Sequence, residues 1–203
     1  MQERLPIDAE AHATASVRRA PDDALIASIG AGDRRAMELL FARHNVAIYH
    51  FIWRLTGNAS LAEEIVSEVF LAVWRGADKF KAKSQVSTWL LAIARHKALA
   101  ALRRRADAQL DDETAVTLVD GADDPETTAQ HRSRSAILQK CLNALPSSHR
   151  EIIDLVYYHE KTVVEVAQIV GIPEGTVKTR MLHARLRMAE LLRGAGVHGL
   201  HAC

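Results

Sequence analysis

Apolar residues recur along this chain at three- and four-residue intervals, the spacing of one face of an α-helix. From Pro21 the series Leu25, Ile26, Ile29, then Met37, Leu40, Phe41, then Ile48, Ile52, Leu55 predicts a short helix and a long one. Gly30 and Gly32 separate them, and Gly57-Asn58 closes the second. Asn58 or Ser60 then caps LAEEIVSEVFLAVWRGA, where Leu61, Ile65, Val69 and Val73 line one face and Phe70 and Trp74 widen it. Glu64, Ser67, Glu68 and Leu71 are left on the opposite face. Ser87 is placed to cap STWLLAIARHKALAALRRR, with Trp89, Leu90, Ile93 and Leu102 directed inward.

Periodicity breaks between 106 and 130, where Gly121 and Pro125 stand among acids, and resumes in SAILQKCLNALP. Pro146 ends that element and Ser147 or Ser148 starts REIIDLVYYHE. Thr162 and Glu165 stand in capping-box relation before VVEVAQIVG, Gly171 stops that helix, and Pro173 pre-sets the turn into EGTVKTRMLHARLRMAELL. On this last helix Val177, Leu182, Leu186 and Leu191 are expected to anchor to the domain. No strand or internal repeat emerges. The chain reads as all-α: an N-terminal arm (1–20), a helical domain (21–105), a flexible acidic linker (106–132), a second helical domain (133–193) and a tail (194–203).

Composition adds little: 48% of the 203 residues are apolar and 25% charged, as in ordinary globular proteins. The net charge of +1 conceals a segregated distribution. Lys81 to Arg105 contains Lys81, Lys83, Arg95, Lys97, Arg103, Arg104 and Arg105 with no carboxylate, and the following segment reverses the sign from Asp107 to Glu126. The opening MQERLPIDAE lacks an apolar signal core, no run approaches a membrane span, and Cys141 and Cys203 make no disulfide framework. A cytoplasmic protein without membrane insertion is expected. No nucleophile elbow, phosphate-binding glycine loop or paired carboxylates appear, so neither catalysis nor a cofactor is expected. His198, His201 and Cys203 form only a weak metal pattern on a glycine-containing tail, and no metal is expected.

The chemistry concentrates on two basic helices. A capped helix, a turn at GIP and a second basic helix form the helix-turn-helix pattern, which lays its second helix in the major groove. Glu174, Lys178, Thr179, Arg180 and His183 are positioned to meet base edges, with Arg187 farther along to neutralise phosphate. A helix-turn-helix transcriptional regulator of another kind would account for this half alone.

Leu145 to Leu192 closely resembles the sigma-four domain of bacterial RNA polymerase sigma factors through LP, RE, EVA and GIPEGTVKTR. Leu25 to Arg105 resembles the sigma-two domain through LAEEIVSEVFLAVWR and STWLLAIARHKALAALRRR. Two such matches without an intervening third domain resemble the extracytoplasmic-function class of the sigma-70 family. The resemblance implies a sigma-two helical bundle and a sigma-four helix-turn-helix, with core RNA polymerase, promoter DNA and an anti-sigma factor as partners. It implies docking of Glu64, Ser67, Glu68 and Leu71 on the polymerase beta-prime clamp helices, with Ser67 where the family usually has Gln and Glu64 where it has Asp. The sigma-four domain would meet the beta flap and the minus-thirty-five element. Lys81, Lys83, Arg95, His96, Lys97, Arg103, Arg104 and Arg105 would hold the minus-ten strand, His96 standing where Asn is usual. The acidic linker would thread toward the active-site and RNA-exit channel.

Overall fold

The computed structural model describes residues 20–110 and 129–196. The expected N-terminal arm, the stretch 111–128 of the acidic linker and the tail histidines with Cys203 lie outside the described residues. Eight α-helices and one short 3-10 turn make up the described part: α1 (Asp22–Gly30), α2 (Arg34–Thr56), α3 (Ala59–Gly76), the turn Ala77–Lys79, α4 (Val86–Leu110), α5 (Ala129–Asn143), α6 (Ser147–Tyr157), α7 (Val163–Val170) and α8 (Glu174–Gly194).

Helix boundaries follow short-range chemistry. Asp33 starts α2 by accepting the Arg35 amide at 2.8 Å and the Ala36 amide at 3.3 Å. Asn58 takes the Leu61 amide at 2.8 Å and starts α3. Gly57 ends α2 in the left-handed region at φ 67°. Thr162 and Glu165 complete a capping box at the start of α7, and Gly171 closes it at φ 72°. Ser87 does not cap α4. That helix begins at Val86, where the Trp89 amide already bonds the Gln85 carbonyl at 3.1 Å, and the Ser87 hydroxyl is engaged elsewhere. At its other end α4 runs on to Leu110, beyond the boundary expected at 105.

The first bundle wraps α1, α3 and α4 around α2, burying Leu40, Phe51, Ile52, Ile65, Val69 and Leu90. Ala94, Ala98 and Ala101 repeat along α4 at helical spacing, and these short side chains let its backbone approach α2 and α3. Leu102, expected in the core, is only half-buried because Ala101 holds the inward position. In the second unit α6, α7 and α8 close on Ile152, Leu155, Val166, Ile169, Val177 and Met181. The two units share one continuous hydrophobic cluster, with α7 seated on α4 and α6 against the end of α2.

On α8 the inward stripe is Val177, Met181, Ala184 and Leu192, with Met188 and Leu191 packed beside it. Leu182 and Leu186 do not anchor the helix: each is 56% exposed. At about 100° per residue, position 182 points well away from the 177–181–184 line.

Candidate promoter- and polymerase-binding surfaces

The turn residues Gly171 to Pro173 set α8 against α7, and the first two turns of α8 keep an exposed face beside buried Val177 and Met181. Glu174, Lys178, Thr179 and His183 are exposed there, with Arg180 partly covered and Arg187 farther along. Their spacing puts Lys178 and Thr179 about one turn beyond Glu174, Thr179 opposite Val177 and Met181 and Lys178 on the flank between. Thr179 donates to the Gly175 carbonyl at 3.0 Å, while Arg187 pairs with Glu190 at 2.9 Å in a solvated contact of little energetic weight. The His183 ring lies 6.3 Å from that of His149 on α6.

In the first bundle the candidate residues divide differently. Lys81, Lys83, His96, Arg103, Arg104 and Arg105 are exposed, so one side of α4 and its preceding loop carry dense positive charge. Between the two lysines Ala82 is held at φ 51°, a left-handed conformation that turns the loop sharply. Phe80 and Trp89 pack at 4.9 Å, and Trp89 is partly buried against the core. Glu64 and Ser67 are exposed on α3, and Leu71 is 46% exposed. Lys97 of α4 bonds Glu68 of α3 at 3.0 Å, joining residues expected to meet two different partners. They share an open groove of about 530 Å³ with Leu71, Arg75 and Lys79.

Arg95 turns away from the exposed bases and toward the second unit. Its Nε and one terminal nitrogen donate to the two oxygens of Glu151 at 2.6 and 3.4 Å. Arg54, at the end of α2, donates to Asp154 and lies 4.2 Å from the centre of the Tyr158 ring. His159 Nε2 is 3.3 Å from the other Asp154 oxygen, and its ring meets Phe51 edge-on at 5.5 Å. A second polar group joins α4 to α7: Thr88 donates to Glu165 Oε1 at 2.7 Å and Lys161 to Ser87 at 2.6 Å. Burial alone would raise the Glu165 pKa. Hydrogen bonds from Thr88 and Thr162, with the Lys161 ammonium, outweigh it and hold the carboxyl at about 2, below its usual 4.5.

Arg54, Glu151, Asp154, Lys161 and Glu165 were absent from the sequence-derived site. One local signal marked two of them: Glu151 and Asp154 interrupt the apolar run of REIIDLVYY, on the side of α6 that also carries Leu155.

Two family models match this chain in the order of its two units: Sigma-70 region 2 over residues 40–108 and Sigma-70, region 4 over residues 135–188. The ECF RNA polymerase sigma factor SigW of Bacillus subtilis is 31% identical over 178 residues, covering 83% of this chain and 95% of SigW. The chain belongs to the ECF RNA polymerase sigma factors. SigM of Mycobacterium tuberculosis (strain H37Rv), a member of the same class, is 34% identical over 84% of each chain. Two solved structures share the architecture. CnrH, solved with the cytosolic domain of CnrY, aligns with a TM-score of 0.63 and 25% identity over 85% of this chain and 97% of its own. RpoE of Bartonella quintana, solved with the anti-sigma factor NepR, aligns with a TM-score of 0.64 and 25% identity over 77% and 96%. As an ECF sigma factor the protein directs core RNA polymerase to promoters. None of its described helices is long and apolar enough to cross a membrane.

Proposed function

We propose that the sigma function is divided over the two units as their surfaces suggest: residues 21–105 dock on polymerase and hold the minus-ten strand, and residues 133–193 read the minus-thirty-five element. The observation that carries this reading is the open first half of α8, where Glu174, Lys178, Thr179 and His183 face outward from a rigidly capped helix-turn-helix. Arg180 joins them at the base edges, and Arg187 extends that surface toward the phosphates. Exposed Lys81, Lys83, His96, Arg103, Arg104 and Arg105 supply the cationic track that a single strand needs, with Arg95 and Lys97 joining it once their carboxylate partners leave. On α3, Glu64, Ser67, Glu68 and Leu71 form the polymerase-docking face, an apolar centre rimmed by acids that suits the beta-prime clamp helices. The second unit meets the beta flap.

An anti-sigma factor covers these faces when the protein is silent, as the anti-sigma factor NepR accompanies RpoE. The chain works in the cytoplasm and leaves phosphodiester chemistry to polymerase. Purified protein added to core RNA polymerase with genomic template gives transcripts from discrete starts. Charge reversal at Glu68 lowers the affinity for core polymerase without loss of helicity. Core binding unchanged by that reversal would overturn the docking face, and uniform transcript starts would overturn the division of promoter contacts.

A further inference from the structure

The junction between the two units pairs one charge type with the other. Its acids, Glu151 and Asp154, come from α6, and their side chains are only 6% exposed. Its arginines, Arg54 and Arg95, come from α2 and α4 and keep 24% and 21% of their side-chain surface in solvent. Carboxylates buried this deeply are tolerable only while paired, so the acids depend on the arginines. The converse does not hold, because a guanidinium fork accepts any planar or tetrahedral anion with two available oxygens, phosphate included.

The acids are also spaced in a telling way. Glu151 and Asp154 stand one helical turn apart, so two anionic groups follow each other along a line, as neighbouring phosphates do on an extended strand. Arg95 engages both oxygens of Glu151, the two-point contact it would make with a phosphodiester. Beside them the Tyr158 ring stacks against the Arg54 guanidinium at 4.2 Å, the place of a stacked base.

We infer that Arg54 and Arg95 form one binding site for a single-stranded nucleic-acid backbone, and that Glu151, Asp154 and Tyr158 occupy it as an internal mimic of the strand. The inference rests on the assignment of basic α4 to the minus-ten strand, and it adds Arg54, on a different helix, to that track. The closed molecule cannot take the strand at this site until α6 departs. The contacts of α7 and the residue before its cap, Thr88 with Glu165 and Ser87 with Lys161, align the junction without a charge that a strand could replace on α4.

The full-length chain carrying Glu151→Gln and Asp154→Asn tests this with a fluorescein-labelled oligothymidylate of about 12 nucleotides, within the range of one binding fold. Removing the mimic separates the units, seen as a larger radius of gyration by X-ray scattering. It tightens oligonucleotide binding about tenfold, the gain expected when a site that is about nine-tenths occluded is freed. In that open background Arg54→Ala and Arg95→Ala each weaken binding and each lower the salt slope by about 0.7. The charge swap Arg95→Glu with Glu151→Arg re-closes the molecule yet keeps binding weak.

Separation without tighter binding overturns the mimic, as does a chain that stays closed. Unchanged salt dependence on loss of Arg54 overturns its place in the site. Neutralising Arg103, Arg104 and Arg105 keeps the two failures apart. Binding that falls with those three but ignores Glu151 and Asp154 overturns the mimic and leaves the minus-ten assignment standing, while binding indifferent to all five overturns both.

Discussion

Arg180 sits partly covered on α8, between exposed Thr179 and buried Met181. Replacing it with Ala is expected to cost about 1–3 kcal/mol at a cognate promoter if it reads a base. Equal weakening on unrelated duplexes, measured by competition binding, would make it a phosphate contact. Glu165 allows a prediction of a different kind. Its pKa is depressed to about 2 in the folded chain, so its stabilising contribution is fully present above the ordinary value near 4.5. That contribution fades as pH falls from about 4.5 to about 2, because the protonated acid gives up its ionic hydrogen bonds. Urea midpoints measured across this window should fall in the wild type and flatten in Glu165→Gln.

At the level of elements, local punctuation carries most of the folding information. Thr162→Ala removes one half of the α7 capping box and should cost about 1 kcal/mol in denaturant unfolding. Gly171 sits at φ 72°, where a side chain is strained. Its replacement by Ala should cost about 1 kcal/mol or somewhat more. These caps were legible because they depend on residues two to four apart, as were the helices that Asn58, Gly57 and Pro173 bound. The α8 face was not fully legible. That helix is apolar at 177, 181, 184, 188, 191 and 192 but also at 182 and 186, and periodicity alone cannot rank two stripes on one cylinder. Packing against α6 and α7 selects the first. Exposed Leu182 and Leu186 should therefore each be replaceable by Ala with a stability change of about 0.5 kcal/mol at most. Met181→Ala, at a buried position, should cost about 2 kcal/mol. Calorimetry on the three variants checks the ranking. The Ser87 cap failed for a related reason: its hydroxyl serves Lys161 of the other unit, 74 positions away, where no local rule reaches.

For the molecule as a whole, the same limit explains why Arg54, Glu151 and Asp154 were invisible as a set. Their partners lie 56 and 100 positions apart, and each side chain alone is an ordinary charge on a helix. What the junction adds is coupling, since one apolar cluster and two polar groups span both units. Thermal unfolding of the wild type should be a single transition, and the Glu151→Gln, Asp154→Asn chain should melt in two. A single transition in both would mean that the apolar contacts alone hold the units together. Glu165 gives this coupling its limit. One of its oxygens faces Thr88 in the first unit, while the other holds the Thr162 amide and hydroxyl within its own. Parting the units takes Thr88 from the first oxygen, which keeps the Lys161 ammonium at 3.4 Å, and spares the second, so the capping of α7 travels intact. The same double duty makes one side chain serve two ends: losing the Glu165 carboxylate removes both a contact with α4 and one half of the box that starts α7.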